Sequence, residues 1–284
     1  MTGKYPDEMA ALRVAMEQMM SRHNGAAQDD FSGLSPSEMA ALRNDPFGPE
    51  SPIRWRDDPA AQGLPLRRAI VGLLEYFSGS GGAKLTPQGR LPQKLLHQLY
   101  ALNPWYGLGL DRLPRLEEDL PVAELLHALA INQGWLRKRK GHYLLARAGK
   151  DWLAMTPDEQ ALWTMYASCM RYNWAYLDGF PDMPDVQHGW GYLVWLLLQF
   201  GDEPRPVSFY ADGLLRAWPF LLDFLPEPQY MTREREFQAL FETRAFERWL
   251  AWLGFVSLDR ERKAGAPTIV TVTPLFRACW QASR

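Results

Sequence analysis

The chain has 284 residues, 47% of them hydrophobic and 23% charged, with a formal net charge of −2. That much apolar material excludes a disordered, charge-rich segment, and the near-neutral balance excludes a global basic field. Two cysteines, Cys169 and Cys279, exclude a disulfide-dense scaffold and leave too few thiolates for a zinc ribbon.

Residues 1–20 hold Asp7, Glu8 and Glu17 and no apolar core segment, unlike a signal peptide. The longest apolar run, GYLVWLLL from Gly191, falls well short of the roughly 20 residues that span a bilayer. The expectation is a cytoplasmic protein with no membrane partner.

The octapeptide PDEMAALR at 6–13 nearly recurs as PSEMAALR at 36–43, with seven of eight positions identical. Each spells a short helix. Ser35 suits an N-cap, Pro36 the first helical position and Glu38 a capping box, and Pro46 stops the run. Residues 44–65 are rich in Pro, Gly and Asp, which predicts a linker. Residues 1–65 therefore form an expected N-terminal helical arm and linker.

Residues 66–155 are expected to form a first unit. Ile70, Leu73, Leu74 and Phe77 mark one helix face, and Lys84 to Thr86 a short strand. Leu91, Leu95, Leu99 and Leu102 mark a second helix, and Val122, Leu125, Leu126 and Leu129 a third. Gly134 fits a helix end, and WLRKRKGHYLLA at 135–146 predicts a hairpin turning at Lys140-Gly141. Helix, strand, helix, helix, hairpin is the winged helix-turn-helix order.

Residues 156–284 are expected to hold a helical middle and a second such unit. Thr156 to Glu159 spells a capping box, after which Leu162, Met165, Cys169, Tyr172 and Tyr176 line one face. A helix at 190–200, a strand near 204–208, a helix at 209–222 broken at Pro219, and a helix at 232–253 ending at Gly254 follow. FVSLDRERKAGAPTIVTV, from Phe255, then reads as a longer hairpin. The fold class expected is mainly α with small β-hairpins: two winged-helix-like units plus an N-terminal helical arm.

The segment FSGLSPSEMAALRNDPF at 31–47 resembles an uncharacterised bacterial family with an F-x-G-L-S-P-x-x-M segment followed by winged-helix-like units. KLTPQGRLPQKLLHQLY at 84–100 resembles that family's next recognisable segment. The resemblance covers roughly residues 22–155 and implies no activity and no catalytic residues.

Residues 84–150 carry eleven basic and five acidic residues inside an otherwise acidic chain. Arg137, Lys138, Arg139 and Lys140 are consecutive, Arg147 and Lys150 lie close behind, and no acid interrupts 135–150. A wing of this kind can rest on phosphate, or it can simply be a solvated edge guarded by charge. The helix before it offers no Arg or Lys to bases, and Glu117, Glu118 and Asp119 stand at its start, so direct base readout is not expected. In the second unit Arg233, Arg235, Arg244 and Arg248 alternate with glutamates as an ion-paired solvent face would.

Asp178, Asp182, Asp185 and His188 form the one metal-like grouping. No P-loop, dinucleotide fingerprint or nucleophile motif is present, and no cofactor is implied. Twelve tryptophans fit a core, with some left over for an interface. The function expected is non-enzymatic binding of a macromolecule in regulation or assembly. A protein partner or self-association is slightly favoured over DNA at the basic wing, and a metal-dependent enzyme is the third reading.

Overall fold

A computed structural model of the chain describes residues 5–79, 82–102, 113–176, 178–227, 231–260 and 265–283. The arm begins with a helix, α1 (Tyr5–Gly25), far longer than its octapeptide. Residues 26–35 turn the chain into α2 (Pro36–Asn44), which carries the capping box expected at Ser35 and Glu38. The expected linker is no linker: it contains β1 (Ile53–Trp55), and Ile53 and Leu64 are fully buried.

The first unit comprises α3 (Pro65–Tyr76), β2 (Ala83–Lys84), α4 (Gln93–Ala101), α5 (Pro121–Asn132), β3 (Leu136–Arg139), β4 (His142–Leu145) and α6 (Arg147–Leu153). Its three strands are ordered β2-β4-β3, all antiparallel. Lys140 and Gly141 both have positive φ, 50° and 76°, the geometry of a two-residue turn that matches strand twist. Trp135 and Trp152 pack together and against Trp163 of the next helix.

That helix is α7 (Pro157–Met170), closed at its start by the Thr156–Glu159 capping box. Met165 and Cys169 are buried, but Leu162 on the edge of the same stripe is exposed. A short α8 (Pro184–His188) leads to α9 (Trp190–Phe200), apolar on every side and buried from Trp190 through Leu197. Such a helix belongs inside a core.

The second unit repeats the order of the first. After α9 come β5 (Arg205–Pro206), α10 (Val207–Ala217), α11 (Arg233–Phe241), β6 (Val256–Arg260) and β7 (Thr268–Val272), with sheet order β5-β7-β6. Pro219 ends α10 and opens a 3-10 turn. Beyond α11 the helix widens to a π-helical segment (Glu242–Leu250), closed by Ala251 N–H donating to the Phe246 carbonyl five residues back. Last come α12 (Pro274–Cys279) and β8 (Trp280–Ala282), which pairs antiparallel with β1. The buried residues of both units form one contiguous apolar cluster that also takes in Leu34, Met39, Leu42 and Ile53. No helix among the described residues is long and apolar enough to cross a membrane.

Candidate functional site

The basic hairpin keeps its charges outside. Opposed residues in an antiparallel ladder share a face, and the register sets Lys84 against His142 and His142 against Arg139. Arg137, two residues before Arg139 and opposite Leu144, lies on that same face. The other face holds the buried Tyr143, with Lys138 opposite it. Arg137, Lys138, Arg139, Lys140 and Lys84 are all exposed, and none has an ion-pair partner among the described residues. Of the two flanking cations, Arg147 meets Asp151 one turn on, at 3.7 Å, and Lys150 is exposed on α6. Sequence reasoning missed Lys84, because only the strand pairing brings it across some 55 residues to the hairpin.

The carboxylates before α5 are not the bare acidic run the sequence suggested. Glu117 is buried, accepting from Leu91 N–H at 2.7 Å and lying 2.7 Å from His127 Nδ1, whose Nε2 is 2.8 Å from the Tyr143 hydroxyl. Glu118 pairs with Arg90, and Asp119 accepts from the Arg115 and Leu116 amides. Burial, and then Glu117, push Tyr143 above its usual value; burial, then Glu117 and Glu118, do the same for Glu124. This relay ties a turn, a helix and a strand together beneath the cationic face.

Each third helix buries one face in the core and keeps another toward solvent. Val122, Ala123, Leu125, Leu126, Leu129 and Ala130 of α5 are buried. Leu125 and Leu129 line one small cavity together with Ser168 of α7 and with Arg248 and Trp249 of the π-helical segment. The third helices of the two units are thus turned toward each other. The expected solvent face of ion pairs is also revised. Arg244 is buried on Asp178, while Glu242 and Glu247 pair with Arg260 on β6.

The metal-like grouping is dispersed. Asp178 is taken by Arg244 and Asp185 by Arg43. Asp182 and His188 do share a cavity of about 310 Å3, but two arginines, Arg171 and Arg244, line it as well. No cluster of three potential ligands is present among the described residues. A cation there would face arginine charge with few oxygens to hold it.

A second surface feature is an apolar groove of about 670 Å3 between β1 and α7. Phe47, Trp55, Trp163 and Tyr166 line it with Met155 and Leu162; Asp45, Arg54 and Glu159 sit at its rim. Its parts come from positions 45–55 and 155–166, so no local motif announced it. The remaining tryptophans are mostly core, including Trp249, which donates to Ser168 Oγ at 3.1 Å and stacks on Trp174 at 4.5 Å.

Residues 62–159 match the family model of the Y4jL N-terminal domain. The match spans the first unit from just before α3 to the start of α7; the FSGLSPSEM segment lies upstream of it. No curated protein and no solved structure matches the chain.

Proposed function

We propose that the chain is a non-enzymatic, macromolecule-binding protein whose first unit is winged-helix-like and grips nucleic-acid phosphate with its wing, without reading bases. One observation carries this: Lys84, His142 and Arg139 stand side by side across one outward sheet face, with Arg137 beside them and no acid among them. Lysine and arginine charges gathered on one face repel one another, and a polyanion relieves that repulsion. The absence of any Arg or Lys from α5 supports phosphate contact over base contact. The protein-partner reading favoured by the sequence draws its support from the aromatic groove, whose occupant is taken up below.

Fluorescence anisotropy with duplexes of unrelated sequence tests the proposal. Binding is expected at low salt, nearly equal for all duplexes, and weakening with a log–log salt slope of roughly −0.9 per phosphate contact. Replacing Arg137, Lys138, Arg139 and Lys140 by Ser should flatten the slope, and Lys84→Ser should reduce it by about one contact. Absence of binding by the wild type at low salt sinks the reading.

A further inference from the structure

The arm helix runs beside α2 but buries none of its own residues from Met9 on. From Met9 to Gly25 every residue of α1 is exposed, and Met9, Leu12, Met16, Met19 and Met20 are each at least half exposed. A helix in water draws most of its stability from a packed apolar face, and one of 21 residues without such a face is marginal. Five of its six exposed large hydrophobics share one side, and Val14 lies opposite them. At 3.6 residues per turn, Met9, Leu12, Met16, Met19, Met20 and His23 fall within an arc of about 100°. The near-identical octapeptide in α2 shows what such a face does when covered: Met39 and Leu42 are buried, and Arg43 pairs with Asp185. In α1 the equivalent Met9, Leu12 and Arg13 face solvent.

The same chain carries an uncovered acceptor. Four aromatic rings line the groove beside β1, and methionine sulfur and methyl groups pack well against aromatic rings. The margins match in charge. Arg13 borders one side of the α1 stripe, with Glu17 beyond it, and Arg22 stands about 60° outside the other side. Asp45 and Glu159 rim the groove, with Arg54 near them. The Thr156 amide and hydroxyl hold the Glu159 carboxylate below its usual value, so it stays ionised. In its own chain α1 leaves from a pinned root: Gln28 and Leu34 are bonded through their backbones, and Trp195 Nε1 donates to the Ser32 carbonyl at 3.2 Å.

We infer that the groove formed by Phe47, Trp55, Leu162, Trp163 and Tyr166 receives the α1 helix of a second copy, so that two chains exchange arms and the cationic wing is doubled. This rests on the protein-partner reading of the groove and is independent of phosphate binding.

Disulfide trapping in the full-length protein tests it, since the two native cysteines are buried. Met16→Cys and Leu162→Cys are made as separate variants and oxidised alone and as an equimolar mixture. A covalent dimer is expected in the mixture, at several times the yield of either variant alone. Dimer from Met16→Cys alone would mean that arms pair with arms, and it overturns the inference. So does a mixture that gives no more dimer than the separate samples. The double variant in one chain, trapped as an internally linked monomer at high dilution and as nothing larger when concentrated, would mean an arm folded onto its own groove, and also overturns it. In that last case the groove still binds an apolar helix, whereas failure of every arm–groove link removes the groove reading too. Light scattering of Leu12→Glu, with circular dichroism showing the fold intact, gives a second readout: a monomer is expected where the wild type is a dimer.

Discussion

Arg244 shows how far one residue's role depends on what lies around it. Its side chain is 2% exposed, Asp178 neutralises it, and the Pro181 carbonyl accepts from Nη2 at 2.7 Å. The π-helical widening carries it, and the partner loop comes from more than 60 residues earlier. Removing one member of a buried pair leaves an uncompensated charge, which costs about 3–5 kcal/mol. Asp178→Ala should therefore lower the urea midpoint strongly, while the exposed pair mutant Asp151→Ala should change stability by well under about 1 kcal/mol. A second residue-level effect concerns alkali. Burial pushes Tyr172 and Tyr210 from 10.0 up to about 12, and Cys279 from 9.0 up to about 12. Each is neutral when protonated, and the folded state favours that form. Their contribution is thus complete below the unfolded values and drains away as pH rises through about 9–12. Urea midpoints should fall across that window, and Tyr172→Phe with Tyr210→Phe should make the fall shallower. An unchanged slope in the double variant would refute the assignment.

At the scale of elements, close approach decides what each position tolerates. An added Cβ at Gly191 would lie 2.9 Å from the Leu42 carbonyl oxygen, where α2 crosses α9. Backbone cannot swing aside as a side chain can, so Gly191→Ala should cost about 1–3 kcal/mol by thermal unfolding even though alanine favours helix. The elements themselves were largely legible beforehand. The leucine spacings of α4 and α5, the Lys140-Gly141 turn and the capping boxes at Ser35 and Thr156 are short-range signals, set by residues within four positions of each other. What was not legible was which face of an element would find a neighbour. Leu162 shares a helical stripe with the buried Met165 yet opens into the groove, and the Pro/Gly-rich 44–65 hides a strand whose partner is the chain's last one. The candidate cationic site was legible in its four consecutive basic residues but not in Lys84, whose place depends on a pairing between β2 and β4.

For the whole molecule, the shared core makes a claim about cooperativity. Residues of the arm, both units and the chain end belong to one buried cluster, and β1 is tied to β8 by register and by Trp55 against Trp280 at 5.3 Å. Two units with a common core should unfold together. Tryptophan fluorescence and far-ultraviolet circular dichroism should give coincident urea transitions, and two separated steps would contradict this. Trp280→Ala, which empties the junction between β1 and β8, should lower both together by about 3–5 kcal/mol.

The sequence by itself determined the order of elements within the two units, most of their caps and turns, the mainly helical class and the location of the basic hairpin. Those follow from local propensity, periodicity and charge, which act over a few residues. Tertiary structure alone decided that the acids at 117–119 are engaged and not bared, that Arg244 is buried, and that the Asp/His grouping is drawn apart by Arg43 and Arg244. It also decided that Met39 and Leu42 of one octapeptide are packed while Met9 and Leu12 of its near-copy stand in solvent. Burial and pairing across long sequence separations depend on which surfaces meet, and two nearly identical octapeptides cannot encode that difference within themselves.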